Sequence, residues 1–164
     1  MVIRANKLAW LLALGLFGGC AWAQLKDRDP DWKELDAPPA PAFNKDKLLD
    51  VDMPVHVNLR FGVDPSTLTI TDDGIVRYVM VATNAAGSIN AMYEGIRCHT
   101  GEVKIYARYS AAGQWVMLME PPWLPLSGKQ PSKHALAFAR QGACVEGATA
   151  RSPQDIVNRL KGSR

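Results

Sequence analysis

Segments in which apolar and polar residues alternate fill the middle of the chain, and this pattern constrains the fold more than any other feature. In 55–61 and 103–109 every second residue is apolar, which is the period of a half-buried β-strand. Residues 75–82 are apolar in both phases apart from Arg77, so we predict a central strand that is covered on both faces. The Asp-Asp-Gly turn at 72–74 predicts a hairpin with the strand before it. These patterns indicate a largely antiparallel sheet.

Two further strands complete the predicted sheet. In 89–98 the apolar phase changes at Gly95, and we predict a β-bulge there that redirects the side chains that follow. Residues 115–119 form a last apolar strand, which Pro121 and Pro122 end. The sheet is therefore expected to have five or six strands.

Helical signals occur late in the chain. Ser132 is predicted to cap a short helix over 135–139 that Gly142 ends. A second helix follows the cap residue Ser152, and its apolar stripe consists of Ile156, Val157 and Leu160. The fold class that these elements indicate is α+β: an antiparallel five- or six-stranded meander with one or two C-terminal helices on one face.

The first 23 residues have the composition of an export signal, with a basic start, a short apolar run and an A-x-A site that ends at Ala23. We predict cleavage between Ala23 and Gln24 and a mature protein in the periplasm. The alternative is a lipid anchor on Cys20, since small residues precede this cysteine. Later segments fall short of the roughly 18 apolar residues that a membrane helix needs, so no membrane span is predicted.

The charge balance limits the partners that the mature protein can bind. The chain carries 19 basic and 16 acidic residues, and two of the basic residues leave with the signal, so the mature formal charge is 17 minus 16, or +1. A general binder of nucleic acid or of anionic membranes is not indicated by this balance.

Charge and proline content mark a boundary within the mature chain. Residues 24–52 contain eight acidic and five basic residues and four prolines, whereas 53–164 contains twelve basic and eight acidic residues. We predict that 24–52 is a leader or linker, sensitive to protease and removable, and that 53–164 is a single α+β domain. Trp32, Leu35 and Phe43 are apolar exceptions in the leader, and we favour their docking onto the domain over isolated exposure or docking onto a partner.

Cys98 and Cys144 are the only cysteines that remain after the signal is removed. In an oxidising compartment we predict that they form one disulfide, with two buried free thiols as the alternative. A zinc site with His99 and His134 is disfavoured, because neighbours in an extended segment such as Cys98 and His99 point to opposite faces.

The sequence assigns no catalytic, cofactor-binding or metal-binding residue. No strand is followed by a G-x-S-x-G turn and a helix, and no glycine-rich phosphate loop occurs. Glu94, Arg97 and His99 cluster near the predicted bulge and form a candidate pocket. The competing interpretation is an ion pair or isolated charges at the edge of the sheet.

A proline-rich segment at 120–125 holds Trp123 on a stiff backbone, which suits an aromatic anchor for a partner. We predict a partner contact there, to which neighbouring residues contribute: Trp123, Leu124, Lys129 and Lys133. The alternative is that Trp123 and Leu124 fold back as a lid over the end of the sheet.

Four segments stand out as a combination together with Cys144: 63–65, 73–78, 93–98 (Tyr-Glu-Gly-Ile-Arg-Cys) and 113–116. They resemble the cryptic neisserial protein one-like family of exported bacterial proteins. The resemblance covers about 55–160 and implies an exported protein with a single domain. The family has no established activity, substrate or cofactor, so the resemblance implies no catalytic role for any residue.

Two classes of function follow. The first is a non-enzymatic periplasmic binding or structural protein whose partner is a periplasmic or envelope protein, because no convergent catalytic set is visible in the sequence. The second is a small periplasmic enzyme, such as a hydrolase, with a site assembled from separated residues including Glu94, His99 and His134. A pocket that holds two of these residues would favour the enzyme, and a flat apolar patch around Trp123 would favour the binding protein.

Overall fold

A computed structural model of the protein describes residues 31–130 and 132–162. The predicted export signal, the cleavage site between Ala23 and Gln24, and Cys20 lie outside these residues.

Eight strands of the described chain form one sheet. In chain order they are β1 (Leu49–Val51), β2 (Arg60–Val63), β3 (Thr69–Ile70), β4 (Ile75–Thr83), β5 (Ile89–Arg97), β6 (Glu102–Tyr109), β7 (Trp115–Met117) and β8 (Leu124–Pro125). The spatial order is β1-β2-β4-β5-β6-β7 with antiparallel neighbours, while β3 also pairs with β4 and β8 with β6. The α+β class is confirmed, and the strand count exceeds five or six because the two short strands β1 and β8 were not foreseen.

The first predicted strand is shorter than its sequence pattern. A turn in which the Val57 amide donates to the Pro54 carbonyl at 2.9 Å occupies the start of 55–61. The strand begins at Arg60, and Val55 is fully exposed. Proline at position 54 starts this turn, and the alternation that follows it does not reach the sheet until Arg60.

The C-terminal part of the chain folds onto one face of the sheet. Its elements are α1 (His134–Phe138), a π-helical turn (Ala139–Ala143), a two-stranded ribbon of β9 (Cys144–Val145) and β10 (Ala148–Thr149), and α2 (Pro153–Gly162). Ser152 Oγ accepts a hydrogen bond from the Asp155 amide at 3.1 Å, as a helix cap should. The prediction for Ser132 is wrong, because its hydroxyl contacts the His134 ring and α1 starts after Lys133.

The helix-covered face contains the larger apolar core. Alternate residues of β4 point into it, and the Tyr78 and Phe138 rings lie 4.5 Å apart. The stripe of α2 that the sequence predicts is buried there, since Ile156 and Leu160 are at most 2% exposed. A disulfide joins Cys98, just after β5, to Cys144 at the start of β9, with the Cα atoms 5.5 Å apart. The predicted cross-link is thus confirmed.

The opposite face is covered by residues 31–48, which we call the N-terminal strap. Ala37, Ala40, Phe43 and Leu48 of the strap pack against a buried cluster on β4–β6. The sheet itself begins at Leu49, inside the segment that the sequence analysis assigns to a leader. The expectation of a removable leader does not fit these contacts. Proline excludes the strap from a regular ladder, but it leaves the apolar side chains able to pack on a sheet that already exists.

An irregularity between β5 and β6 determines which side chains face the helices. Tyr93 pairs with Ala107 and Glu94 pairs with Ile105, so Tyr106 is an additional residue in β6. The bulge predicted from Gly95 therefore lies one to two residues earlier in β5, and its extra residue belongs to the partner strand. Beyond the bulge the alternation of β6 is reversed, which brings Arg108 to the same face as Ile105.

Candidate functional site

A pocket of about 360 Å³ opens on the helix-covered face, between β4–β6 and the chain that leads into α1. Its wall is mostly apolar and includes Phe61, Met92, Val103, Ile105 and Leu136. Polar side chains also line it: Asn90, Glu94, Arg108, Gln130, Ser132 and His134. An apolar cavity with a few convergent polar groups is the usual form of a small-molecule site.

A wider groove of about 710 Å³ lies on the strap side, along Phe43, Tyr109 and Trp115. It is open to solvent, and these three aromatic rings contact one another where the strap packs on the sheet. We place the candidate site in the smaller pocket, because two buried titratable side chains, Glu94 and His134, meet there.

Glu94 forms the polar floor of the pocket and is fully buried. It is held in the middle of β5, where its carboxylate accepts a hydrogen bond from the Tyr78 hydroxyl at 2.8 Å. Burial, followed by the proximity of Glu94, raises the pKa of Tyr78 well above its ordinary value. Tyr78 therefore remains a neutral donor that holds Glu94 in one orientation.

His134 lies directly against Glu94, with Nε2 at 2.8 Å from Oε1 and 3.0 Å from Oε2. The ring stacks on Phe61 at 5.0 Å between centroids, with 7° between the planes. His134 is buried, with 7% of its surface exposed. His134 and Phe138 are four residues apart and so share one face of α1, which is the signal that could have placed it in the core.

Ser132 completes a line of three side chains. Its Oγ lies 2.5 Å from His134 Nδ1, on the side of the ring away from Glu94. When the neutral imidazole donates from Nε2 to the Glu94 carboxylate, Nδ1 carries a lone pair and can accept the Ser132 proton. The arrangement can draw a proton from the hydroxyl while Glu94 balances the charge of the imidazolium.

Arg108 brings a cation to the wall of the same pocket. Its side chain is exposed, and within residues 31–130 and 132–162 its guanidinium takes part in no ion pair. A guanidinium that pairs with none of the described carboxylates, in a residue that lines an apolar pocket, suits a ligand that combines an apolar body with an acidic group.

The sequence suggests a pocket formed by Glu94, Arg97 and His99, but the structure places these three residues apart. Glu94 faces the helices, whereas the Arg97 guanidinium lies on the opposite face, 3.6 Å from the centroid of the Trp32 ring. His99 is exposed in the turn after β5. Because β5 alternates without a break through Gly95, Glu94 and Arg97 cannot share a face. The partner that Glu94 meets is His134, forty residues further along the chain.

The Trp123 side chain contacts the strap. Its indole N–H donates to Glu34 Oε2 at 3.0 Å, and the Trp32 ring lies edge-on at 6.3 Å. Lys104 Nζ bonds the same Glu34 oxygen at 2.7 Å. Leu124 is 42% exposed, Lys129 is exposed, and Lys133 donates to the Ser127 and Gly128 carbonyls. The partner contact predicted at these residues stays a prediction.

The described residues contain no group of three or more histidine, cysteine or acidic side chains that is placed to hold a metal ion. Cys98 and Cys144 bond each other, and His134 is bonded to Glu94, so the four residues weighed as zinc ligands do not form one set. Within the same part of the chain, no helix is long and apolar enough to cross a membrane.

Residues 27–161 match the model of the CNP1-like family, and the chain belongs to this family. The resemblance to the cryptic neisserial protein one-like family is thereby confirmed. The matched range includes the whole N-terminal strap, the sheet, α1 and all of α2 except its last residue. No curated protein and no solved structure matches the chain.

Proposed function

We propose that this chain is an exported periplasmic binding protein whose ligand is a small molecule with an apolar body and an acidic group. The observation that carries the proposal is the pocket between β4–β6 and α1, whose lining combines an apolar wall with the basic side chain of Arg108. Its volume of about 360 Å³ lies at the lower end of the range for small-molecule sites, roughly 300–1,000 Å³. The expected ligand is therefore small.

The pocket is a better candidate than the surface around Trp123. That surface already has an occupant, because Trp32 and Glu34 of the strap contact the Trp123 ring. A protein partner would have to displace these contacts or bind beside them. The pocket, in contrast, has a polar floor that is fixed by Tyr78, Glu94 and His134 and needs no rearrangement to admit a ligand.

Two observations support the proposed periplasmic location. The first 23 residues have the composition of an export signal. The Cys98–Cys144 disulfide is of the kind that persists in oxidising compartments and is rare in the cytosol.

Binding is tested by calorimetry of the mature protein with straight-chain carboxylates from butanoate to dodecanoate. Each methylene that enters the pocket contributes about 0.8 kcal/mol, so affinity is expected to rise about fourfold per carbon until the pocket is full. Arg108→Gln should weaken binding of the carboxylate about tenfold and leave the matching alcohol unaffected.

Lys129→Gln is the matched control, because Lys129 is an exposed cation that does not line the pocket. Failure of every carboxylate in the series to bind would overturn the proposal, as would equal losses of affinity in the Arg108 and Lys129 variants.

A further inference from the structure

Ser132, His134 and Glu94 lie in one line within the pocket, and we infer that they form a nucleophile, a general base and a positioning acid. The activity that this set supports is hydrolysis of esters of small apolar carboxylic acids. The inference rests on the proposed function, since the pocket must first admit the acyl chain. It deepens that function, because the carboxylate expected to bind beside Arg108 is the product of the reaction.

The geometry has the features of an activated serine. Ser132 Oγ lies 2.5 Å from His134 Nδ1, and the opposite ring nitrogen lies 2.8 Å from Glu94 Oε1. The base thus contacts the nucleophile on one side and an orienting carboxylate on the other. Stacking on Phe61 fixes the plane of the ring, so both contacts are held at once.

The ordinary structural role for a serine at this place does not account for the Ser132 hydroxyl. The residue before α1 is Lys133, and no side chain caps this helix within the described residues. The hydroxyl is directed to the histidine ring and lines the pocket. The Glu94 carboxylate is also fixed in position, since the Tyr78 hydroxyl and the His134 ring both form hydrogen bonds with it.

The reaction balances without a cofactor. Ser132 Oγ bonds to the ester carbonyl carbon while its proton passes to His134 Nδ1. The bond to the alcohol oxygen then breaks, and the same proton protonates the leaving alcohol, which leaves an acyl ester on Ser132. Water attacks this ester with its proton going to Nδ1, Ser132 regains a proton, and the carboxylic acid departs. The sum is ester plus water to acid plus alcohol, with no oxidation or reduction.

Hydrolysis of p-nitrophenyl butanoate and octanoate by the mature protein tests the inference, together with labelling by a fluorophosphonate that is located by peptide mass spectrometry. We expect the label on Ser132 and a loss of about 10³-fold or more in kcat/KM for Ser132→Ala. Ser127→Ala is the matched control, because Ser127 is an exposed serine of the preceding loop that does not line the pocket.

Glu94 is a positioning residue, and its test must separate orientation from folding. Glu94→Gln keeps the volume of the side chain, and we expect a lower kcat with a KM close to that of the unaltered protein, because Glu94 acts through His134 and not on the substrate. A change confined to KM would contradict this role.

Octanoate binding distinguishes the two proposals. Binding of octanoate without labelling of Ser132, or hydrolysis that persists in Ser132→Ala, would overturn the catalytic inference and leave the binding function. Failure of both binding and hydrolysis would overturn the two together. Labelling of Ser132 with retained octanoate binding in Ser132→Ala would support both.

Discussion

The two faces of the sheet are covered by different kinds of structure. On one face α1, α2 and the π-helical turn supply their own backbone hydrogen bonds and pack apolar side chains onto β4 and β5. On the other face the strap is irregular, so its backbone groups need partners from the domain. Asp73 accepts from the Leu35 amide at 2.9 Å, Arg77 donates to the Leu35 carbonyl at 3.1 Å, and the Trp115 indole donates to the Pro41 carbonyl at 3.0 Å.

This difference explains where the polar residues of the sheet are buried. Arg77 and Asp73 form an ion pair at 3.0 Å whose side chains are 0% and 1% exposed, and both bond the strap. A buried ion pair is costly unless its remaining polar atoms are satisfied. The strap supplies one further partner to each side chain, the Leu35 amide to Asp73 and the Leu35 carbonyl to Arg77, while Arg77 Nε has no hydrogen-bond partner among the described residues.

The largest expected effect is the loss of the strap. A protein that begins at Leu49 would expose the Arg77–Asp73 pair and the cluster on β4–β6, so we expect a loss of about 5 kcal/mol or more in the free energy of unfolding. Urea denaturation followed by tryptophan fluorescence and circular dichroism measures it. A protein that begins at Asp31 is the control. An unchanged midpoint for the Leu49 start would show that the strap is a removable leader after all.

Removal of the disulfide tests the helix-covered face. Cys98 and Cys144 are 46 residues apart, and the chain-entropy model gives about 4 kcal/mol for a loop of this length. We expect Cys98→Ala with Cys144→Ala to lower the free energy of unfolding by about that amount and to leave protease resistance of the strap unchanged in the native state. Increased cleavage within 31–48 under native conditions would show that the two faces are coupled.

Neutralising Asp73 tests the polar attachment of the strap. Burial acts to raise the pKa of Asp73, but hydrogen bonds from Arg77, Thr71 and the Leu35 amide outweigh it, so the pKa lies below its ordinary value of 3.8. A depressed pKa contributes stability that is full above the unfolded value and is lost as the pH falls through the folded value. We expect Asp73→Asn to cost about 3 kcal/mol at pH 7.

The Arg77–Asp73 pair should make the free energy of unfolding depend on pH, and denaturation at several pH values can check this. The difference between the unaltered protein and Asp73→Asn should shrink as the pH falls below about 4, because protonation then removes the Asp73 charge that the Asn variant lacks at every pH. Asp46→Asn is the control, since Asp46 pairs with Lys45 at the surface with both side chains more than half exposed. A difference that does not vary with pH would mean that the Asp73 charge does not stabilise the fold.

The sequence predicts those parts of the molecule in which one segment carries its own pattern. The long strands β4 and β5 and the helix α2 follow from residue spacing alone. The bulge is only partly predictable, because β6 alternates cleanly in sequence and the extra residue, Tyr106, is defined by its pairing with β5. The Glu94–His134 contact joins two elements that are forty residues apart, so no local sequence pattern predicts it.

The contacts of the strap are hard to predict for a related reason. Its prolines and charges are typical of a linker, and its apolar side chains are few. Phe43 is partly buried because Tyr109 and Trp115 lie 5.0 and 5.7 Å from it, centroid to centroid, in the folded protein. The packing partner is therefore created by the sheet, and the local composition of the strap does not reveal it.

The smallest expected effect concerns Trp123, which joins the first residues of the strap to β8. Trp123→Ala removes the edge contact with Trp32 and the bond to Glu34, and we expect a loss of about 1 kcal/mol because the ring is only half-buried. Trp123→Phe keeps a ring and removes the donor, which separates packing from hydrogen bonding. Limited proteolysis should show faster cleavage near residues 32–36 in the Ala variant, with the Phe43 end of the strap still protected.

A loss of several kcal/mol in the free energy of unfolding would instead identify Trp123 as a lid over the core. An unchanged stability would mean that the strap leaves Trp123 free, and it would strengthen the prediction of a partner contact at Trp123 and Leu124.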